Sequence, residues 1–221
     1  MLLAVDAGNT DTVIGLFDTK VTDPQAADDG LIDHWRIATH AERTADEHAV
    51  MFQGFLAAKR RNWLDDIEGI VISSGVPRVM ANLRNMAERY LGHSAVVLEP
   101  GTKTGVAIRT DHPKEVGADR IANAAASFHL YDGPTIMVDF GTATTCDAIS
   151  ADGEYLGGAI APGIEIRMDA LVGRASALRA VELKEPRNVL GRSTVESIQS
   201  GAVYGFAAQV DGLCDRIEQE I

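Results

Sequence analysis

The chain has little of what several specialised protein classes need. Its two cysteines, Cys146 and Cys214, form no CxxC pair and no metal-ligand spacing. That excludes a disulfide framework and reads both as small buried apolar residues. Basic charge is scarce as well: 20 Lys and Arg stand against 32 Asp and Glu, for a net charge of −12 and a pI near 4.8. Nucleic acid and anionic membranes call for the opposite sign, so neither is expected as a partner. No apolar run approaches the roughly 18 residues of a membrane span. The start, Met1 to Val5 and then Asp6, has neither the basic nor the apolar segment of a secretion signal. These absences make the cytoplasm the expected location. The six histidines show no ligand spacing. His112 and His129 read as solvated or capping groups, and Lys59-Arg60-Arg61 as a helix end that suits the helix dipole.

What remains is globular in composition, with 46% hydrophobic and 24% charged residues. Residues 2–5 and 12–17 are apolar and rich in β-formers, and Asp6-Ala7-Gly8-Asn9-Thr10-Asp11 between them reads as a hairpin turn. Residues 19–33 read as a polar loop. Thr44 with Glu47 makes a capping box for a helix whose apolar face carries Ala49, Phe52 and Leu56. A strand is expected over 69–73, and a helix from Pro77 with Val79, Leu83, Met86 and Tyr90 in a stripe. Strands at 95–98 and 106–109 and a helix over about 117–131 follow. The strand pattern restarts at 135–138, continues to Ser150, turns through 151–154 and resumes at 155–160. Gly157-Gly158 and Pro162-Gly163 read as breaks. Ser193 and Glu196 form a second expected capping box, opening a helix along Val195, Ile198, Ala202, Phe206, Val210, Leu213 and Ile217.

An internal echo is the most informative feature. Leu3-Ala4-Val5-Asp6-Ala7-Gly8-Asn9-Thr10 and Ile136-Met137-Val138-Asp139-Phe140-Gly141-Thr142-Ala143 share three apolar residues, Asp, any residue, Gly and a nearby hydroxyl. Each leads into another β run, which suggests a duplicated α/β lobe with a site between the copies. An Asp-x-Gly turn sets a carboxylate at a strand end beside bare N–H groups, and its glycine lets phosphate approach the backbone. The Asp itself would hold Mg²⁺ through water rather than touch phosphate. Two such turns facing each other could grip a triphosphate.

The first turn resembles the first phosphate motif of the type III pantothenate kinases, a branch of the actin-like and sugar-kinase ATPases. Asp139-Phe140-Gly141-Thr142-Ala143-Thr144-Thr145 resembles their second. Pro113-Lys114-Glu115-Val116 followed by Gly117-Ala118-Asp119-Arg120 matches the family's substrate signature. Gly157-Gly158-Ala159-Ile160-Ala161-Pro162-Gly163 and Gly191-Arg192-Ser193-Thr194 also match, in family order. The resemblance implies two ribonuclease-H-like α/β lobes, taken as residues 1–116 and 117–221, with a cleft between them. It implies ATP binding by Asp6, Ala7, Gly8, Asn9, Thr10, Asp11, Thr12, Val13 and Thr142. Gly117, Ala118, Asp119, Arg120 and Thr194 would bind pantothenate, with Asp119 as general base. Asp139 would hold a monovalent cation, K⁺ or NH₄⁺, and Asp6, through water, the Mg²⁺ that accompanies ATP. A homodimer is implied too, and the apolar stripe on the last helix suits one.

Residue chemistry supports the base: a carboxylate at a helix start is kept ionised by free N–H groups, and Arg120 beside it can neutralise an anionic group. Two departures stand out. Thr110 replaces a Tyr that touches substrate in many relatives. The chain also ends at Ile221, before a further strand with a Thr-Gly-Gly turn and a final helix, so those C-terminal elements are expected to be missing. Two alternatives stay open: a non-catalytic accessory relative, and a superfamily kinase for another small substrate, such as a sugar.

Overall fold

The computed structural model describes residues 1–21, 30–99 and 101–221. They form two compact units: residues 1–106 with 111–130, and residues 107–110 with 131–221. This division differs from a cut at 116/117. The helix that carries Asp119 groups with the first unit, and the short segment 107–110 crosses to the second, where Tyr155 exchanges backbone hydrogen bonds with Ala107 and Arg109 at 2.8 Å each. That segment, expected as a strand, makes a single bridge, Ile108 with Tyr155.

The first unit is built on a five-stranded sheet in the order β3-β2-β1-β4-β5. Its strands are β1 (Leu2–Ala7), β2 (Asp11–Phe17), β3 (Leu31–Ala38), β4 (Gly69–Ser74) and β5 (Val96–Leu98). β1, β2 and β3 pair antiparallel, whereas β4 lies parallel to β1, and β5 parallel to β4. This is the ribonuclease-H-like arrangement. Period-two alternation sends Leu3, Val5, Ile70 and Ile72 to one face, where all four are buried. Phe52 and Leu56 from α1 (Ala45–Ala58) and Leu83 and Met86 from α3 (Pro77–Met86) complete that core. The short α2 (Trp63–Asp66) lies between them in sequence, and Trp63 donates its indole N–H to Tyr90 O at 2.9 Å. A π-helical turn, Ala87–Leu91, follows α3 and ends on Gly92 at a left-handed φ of 74°, which glycine adopts without strain.

Thr44 caps α1 as the sequence indicates: its hydroxyl accepts from Glu47 N at 3.3 Å, and the Glu47 carboxylate accepts from Thr44 N at 2.7 Å. The expected loop over 19–33 is corrected at its end, where β3 begins; residues 22–29 lie outside the described residues. β3 has no fully buried residue, so its sequence carries little apolar alternation. Trp35 on β3 stacks on Phe55 of α1, with centroids 5.4 Å apart and planes within 8°.

In the second unit β6 (Thr135–Phe140), β7 (Ala143–Ile149) and β8 (Tyr155–Pro162) form an antiparallel sheet in chain order. Gly157-Gly158 does not end β8, which runs on to Pro162. Helix α5 (Ile164–Arg174), unforeseen because it follows Pro162-Gly163 and buries no residue fully, precedes the long α6 (Thr194–Glu218). Phe206 of α6 packs on Phe140 at 5.9 Å, and the Arg167 guanidinium lies 5.2 Å over its ring. Among the described residues no helix is long and apolar enough to cross a membrane.

His48 on α1 is 1% exposed, and neither ring nitrogen has a hydrogen-bond partner among the described residues. Burial above all, with Arg43 adding to it and Glu47 opposing, pushes its pKa down to about 4. Unfolded, the imidazole takes a proton near its ordinary value of about 6.5, so between these two values the unfolded chain holds more protons. Stability should therefore be full above about pH 6.5 and fall by on the order of 3 kcal/mol as pH drops to about 4. Melting temperatures across that window should show the slope, and His48→Leu should remove most of it.

Candidate functional site

In the first unit the Asp6 turn closes where Gly8 N donates to Asp11 O at 2.9 Å. Its frame is held from both sides. Thr39 N donates to Thr10 O at 2.7 Å, the Thr12 and Thr39 hydroxyls share a hydrogen bond at 2.8 Å, and the Ser74 hydroxyl donates to Ala7 O at 2.8 Å. Asp11 pairs with Arg36 at 2.8 Å. This divides the expected ATP loop by role. Ala7 and Thr12 are fully buried and brace the turn, while Asp6, Asn9 and Thr10 are exposed and Gly8, Asp11 and Val13 half-buried. Ser73 was not foreseen. It is the β4 partner of Asp6, 8% exposed, with a hydroxyl that has no partner among the described residues. Parallel pairing across 67 positions brings it there, and nothing local announces it.

The same unit carries Gly117, Ala118, Asp119 and Arg120 at the start of α4 (Ala118–Tyr131). Gly117 O accepts from Ile121 N at 3.1 Å, the first hydrogen bond of the helix. The Asp119 carboxylate folds back over Gly117 so closely that a Cβ there would overlap Oδ1. With glycine there, the carboxylate can keep this position at the first turn of the helix.

The second unit repeats the turn. Gly141 N donates to Ala143 O at 3.0 Å, and Gly163 N, just past β8, donates to Thr142 O at 3.0 Å. Asp139 pairs in register with Thr145, and Phe140 with Thr144. Thr144 is 4% exposed, with a hydroxyl lacking a partner among the described residues. Thr194 opens α6 behind Ser193, whose hydroxyl accepts from Glu196 N at 3.2 Å. The second expected capping box is only half realised, because the Glu196 carboxylate accepts from Arg192 N at 2.9 Å instead of closing on Ser193. Arg109 pairs with Glu154 and holds that carboxyl below its ordinary range. The Thr110 hydroxyl beside it is buried, again with no partner among the described residues. Cys146 is buried and Cys214 half-buried. Burial pushes the Cys146 thiol up, as does the Cys214 thiol next to it, which suits inert packing residues.

Among the described residues no group of three or more His, Cys, Asp or Glu could by itself hold a metal ion. Residues 2–216 match the family model of the type III pantothenate kinases. The chain belongs to this family. It is 53% identical over 225 residues to the type III pantothenate kinase of Streptomyces coelicolor, covering all of this chain and 82% of that one. It is 51% identical over 222 residues to that of Thermobifida fusca, with the same coverage. A crystal structure described as a Baf family transcriptional activator from Campylobacter jejuni is similar at TM-score 0.53 and 20% identity, covering 96% of this chain and 78% of that one. That likeness shows the fold alone. Membership makes the chain an ATP-dependent kinase.

In this kinase Gly163 seals the second turn through backbone alone. A Cβ on it would overlap Gly141 O and stand 2.6 Å from Thr142 O. Main chain cannot swing aside as a side chain can, so Gly163→Ala should lower unfolding stability by about 1–3 kcal/mol. Gly54→Ala, where a Cβ meets nothing within 4 Å and α1 gains a better helix former, should raise it. Paired denaturant titrations check both signs.

Proposed function

We propose that this kinase transfers the γ-phosphoryl of ATP to the primary hydroxyl of pantothenate, giving 4′-phosphopantothenate, in the cytoplasm, with Asp119 as the general base. The observation that carries the residue assignment is the Asp119 carboxylate lodged over Gly117 at the start of α4. A carboxylate is a group that can accept a proton from an attacking alcohol. Gly117, Ala118 and Arg120 would bind pantothenate with it, and Thr194 would contribute from α6. Arg120 suits the substrate carboxylate or the transferring phosphoryl.

The exposed part of the first turn, with Asn9 and Thr10, would take ATP phosphates on backbone N–H and side-chain donors. Thr142 would do so in the second unit. Phosphoryl transfer needs little else from a protein than positioning and charge stabilisation. Mg²⁺ is commonly held by one or two carboxylates, water and the substrate phosphates. The exposed Asp6 at a strand end, with no three-residue metal cluster among the described residues, fits that mode. Asp139, the register partner of Thr145, gives carboxylate oxygens of the kind that hold a monovalent cation, K⁺ or NH₄⁺. Such an ion would offset negative charge near the phosphates.

Asp119→Asn should lower kcat by about 10²–10⁴ and leave the melting temperature unchanged, as read from ADP release with pantothenate and MgATP. Gly117→Ala should also reduce kcat, by displacing the carboxylate. An Asn variant with more than about half of wild-type turnover would place the base elsewhere.

A homodimer is part of this proposal. Along α6, Ile198 and Phe206 are buried, but Ala202, Val210, Leu213 and Ile217 are only half-buried and Val195 is 49% exposed. A second copy would cover that stripe. Light scattering at micromolar concentration should give twice the chain mass of 23.6 kDa, and a monomer mass refutes the dimer.

A further inference from the structure

Most buried polar side chains among the described residues have a partner. The Thr145 and Tyr155 hydroxyls donate to the fully buried Asp147 carboxylate at 3.0 and 2.8 Å, Thr12 shares a hydrogen bond with Thr39, and Ser127 donates to Asn123 O at 2.8 Å. Ser73 is different. It is 8% exposed, and its hydroxyl has no partner among the described residues. A buried hydroxyl without a hydrogen bond costs stability, so a protein that keeps one has a use for it.

The sheet sets Ser73 beside the expected phosphate turn. β1 and β4 run parallel, and their last residues, Ala7 and Ser74, are register partners. In open α/β sheets ligands bind outside the carboxyl ends of such strands. Ser74 is occupied by structure: its hydroxyl donates to Ala7 O at 2.8 Å and accepts from Val76 N at 3.0 Å. Ser73, one residue earlier, stands on the other face of the sheet. There the register aligns Val13, Asp6, Ser73 and Leu98 on four neighbouring strands, which lie about 4.8 Å apart. Val13 and Leu98 are apolar, so the polar side of this row is the exposed Asp6 and the turn it opens. Just past β4 there is room, since a Cβ on Gly75 would meet nothing within 4 Å. Serine turns on a single χ1 torsion with three wells, so its hydroxyl can be offered to that turn without any backbone movement. It has one proton to give, and phosphate oxygens are strong acceptors.

We propose that Ser73 is a nucleotide-binding residue, whose hydroxyl donates to a phosphate oxygen of ATP held at the Asp6 turn. This rests on the reading of that turn as the ATP phosphate loop. It adds to the loop a donor from a strand 67 positions away in the chain.

The test compares Ser73→Ala with wild type in the full chain. Calorimetry should show MgATP binding weakened about 10–100-fold, the range for a lost hydrogen bond to a charged group, with pantothenate affinity unchanged. Denaturant titration without nucleotide should find Ser73→Ala at least as stable as wild type, because an unpaired hydroxyl has been removed. Ser73→Thr keeps the donor and suits a strand, so it should keep most of the affinity. Should Ser73→Ala fail to fold, Ser73→Cys, close in size but a weak donor, gives the comparison. Wild-type MgATP affinity in that variant would overturn the proposal, and a fall in stability beside it would mark the hydroxyl as purely structural. Asn9→Ala, on the turn itself, separates this result from the reading beneath it. If Asn9→Ala weakens MgATP binding and Ser73→Ala does not, this proposal alone falls. If neither does, the ATP reading of the turn falls with it.

Discussion

The first unit depends on β1 being hydrogen-bonded along both edges, antiparallel to β2 and parallel to β4. A strand held on both sides cannot slip in register without turning its buried face outward. Leu3, Val5 and Ala7 therefore stay in the core and Asp6 stays on the opposite face. The turn that follows is fastened by the backbone N–H and hydroxyl of Thr39, just past β3, and by the Ser74 hydroxyl at the end of β4. Loops that carry function are commonly positioned by a rigid scaffold, and here β4 and the residue after β3 hold the turn.

The two copies of the Asp-x-Gly design use glycine for different ends. At Gly8 a Cβ would meet only Asp11 O, at 3.3 Å, whereas the second turn leans on Gly163, where a Cβ would overlap main chain. At Gly117 the missing Cβ makes room for the Asp119 carboxylate, and at Gly158 first for Cys146 O and then for the main chain and carboxylate of Asp147. None of these four glycines has φ in the left-handed region, so what each supplies is room.

Buried polar groups divide along the same line. The carboxylate of Asp147 has its hydroxyl donors and can persist in a dry interior, because a satisfied polar network costs far less than an orphaned one. His48 has no hydrogen-bond partner among the described residues, so burial keeps it neutral. The hydroxyls of Ser73 and Thr144 also lack partners among the described residues. Both lie beside the expected phosphate turns, Ser73 paired with Asp6 and Thr144 with Phe140.

The local part of this protein was readable from residues alone. The hairpins around Asp6 and Asp139, the Thr44–Glu47 box, the Pro77 helix start and the α4 start at Asp119 each depend on neighbours within about four positions, where spacing and side-chain type decide the geometry. Tertiary structure decided the rest. β3 is a strand because β2 offers it an edge, and α5 starts behind Gly163, its N-cap, where the local residues read only as a break. Glu196 turned to Arg192 instead of closing on Ser193. Thr12 became a brace once Thr39 met it 27 positions away, and Ser73 reached Asp6 from 67 positions away. Asp147 looks like any strand carboxylate in the sequence. Its burial follows only when β8 lays Gly158 and Tyr155 against it, because burial depends on which distant segments pack together, and no local spacing encodes that.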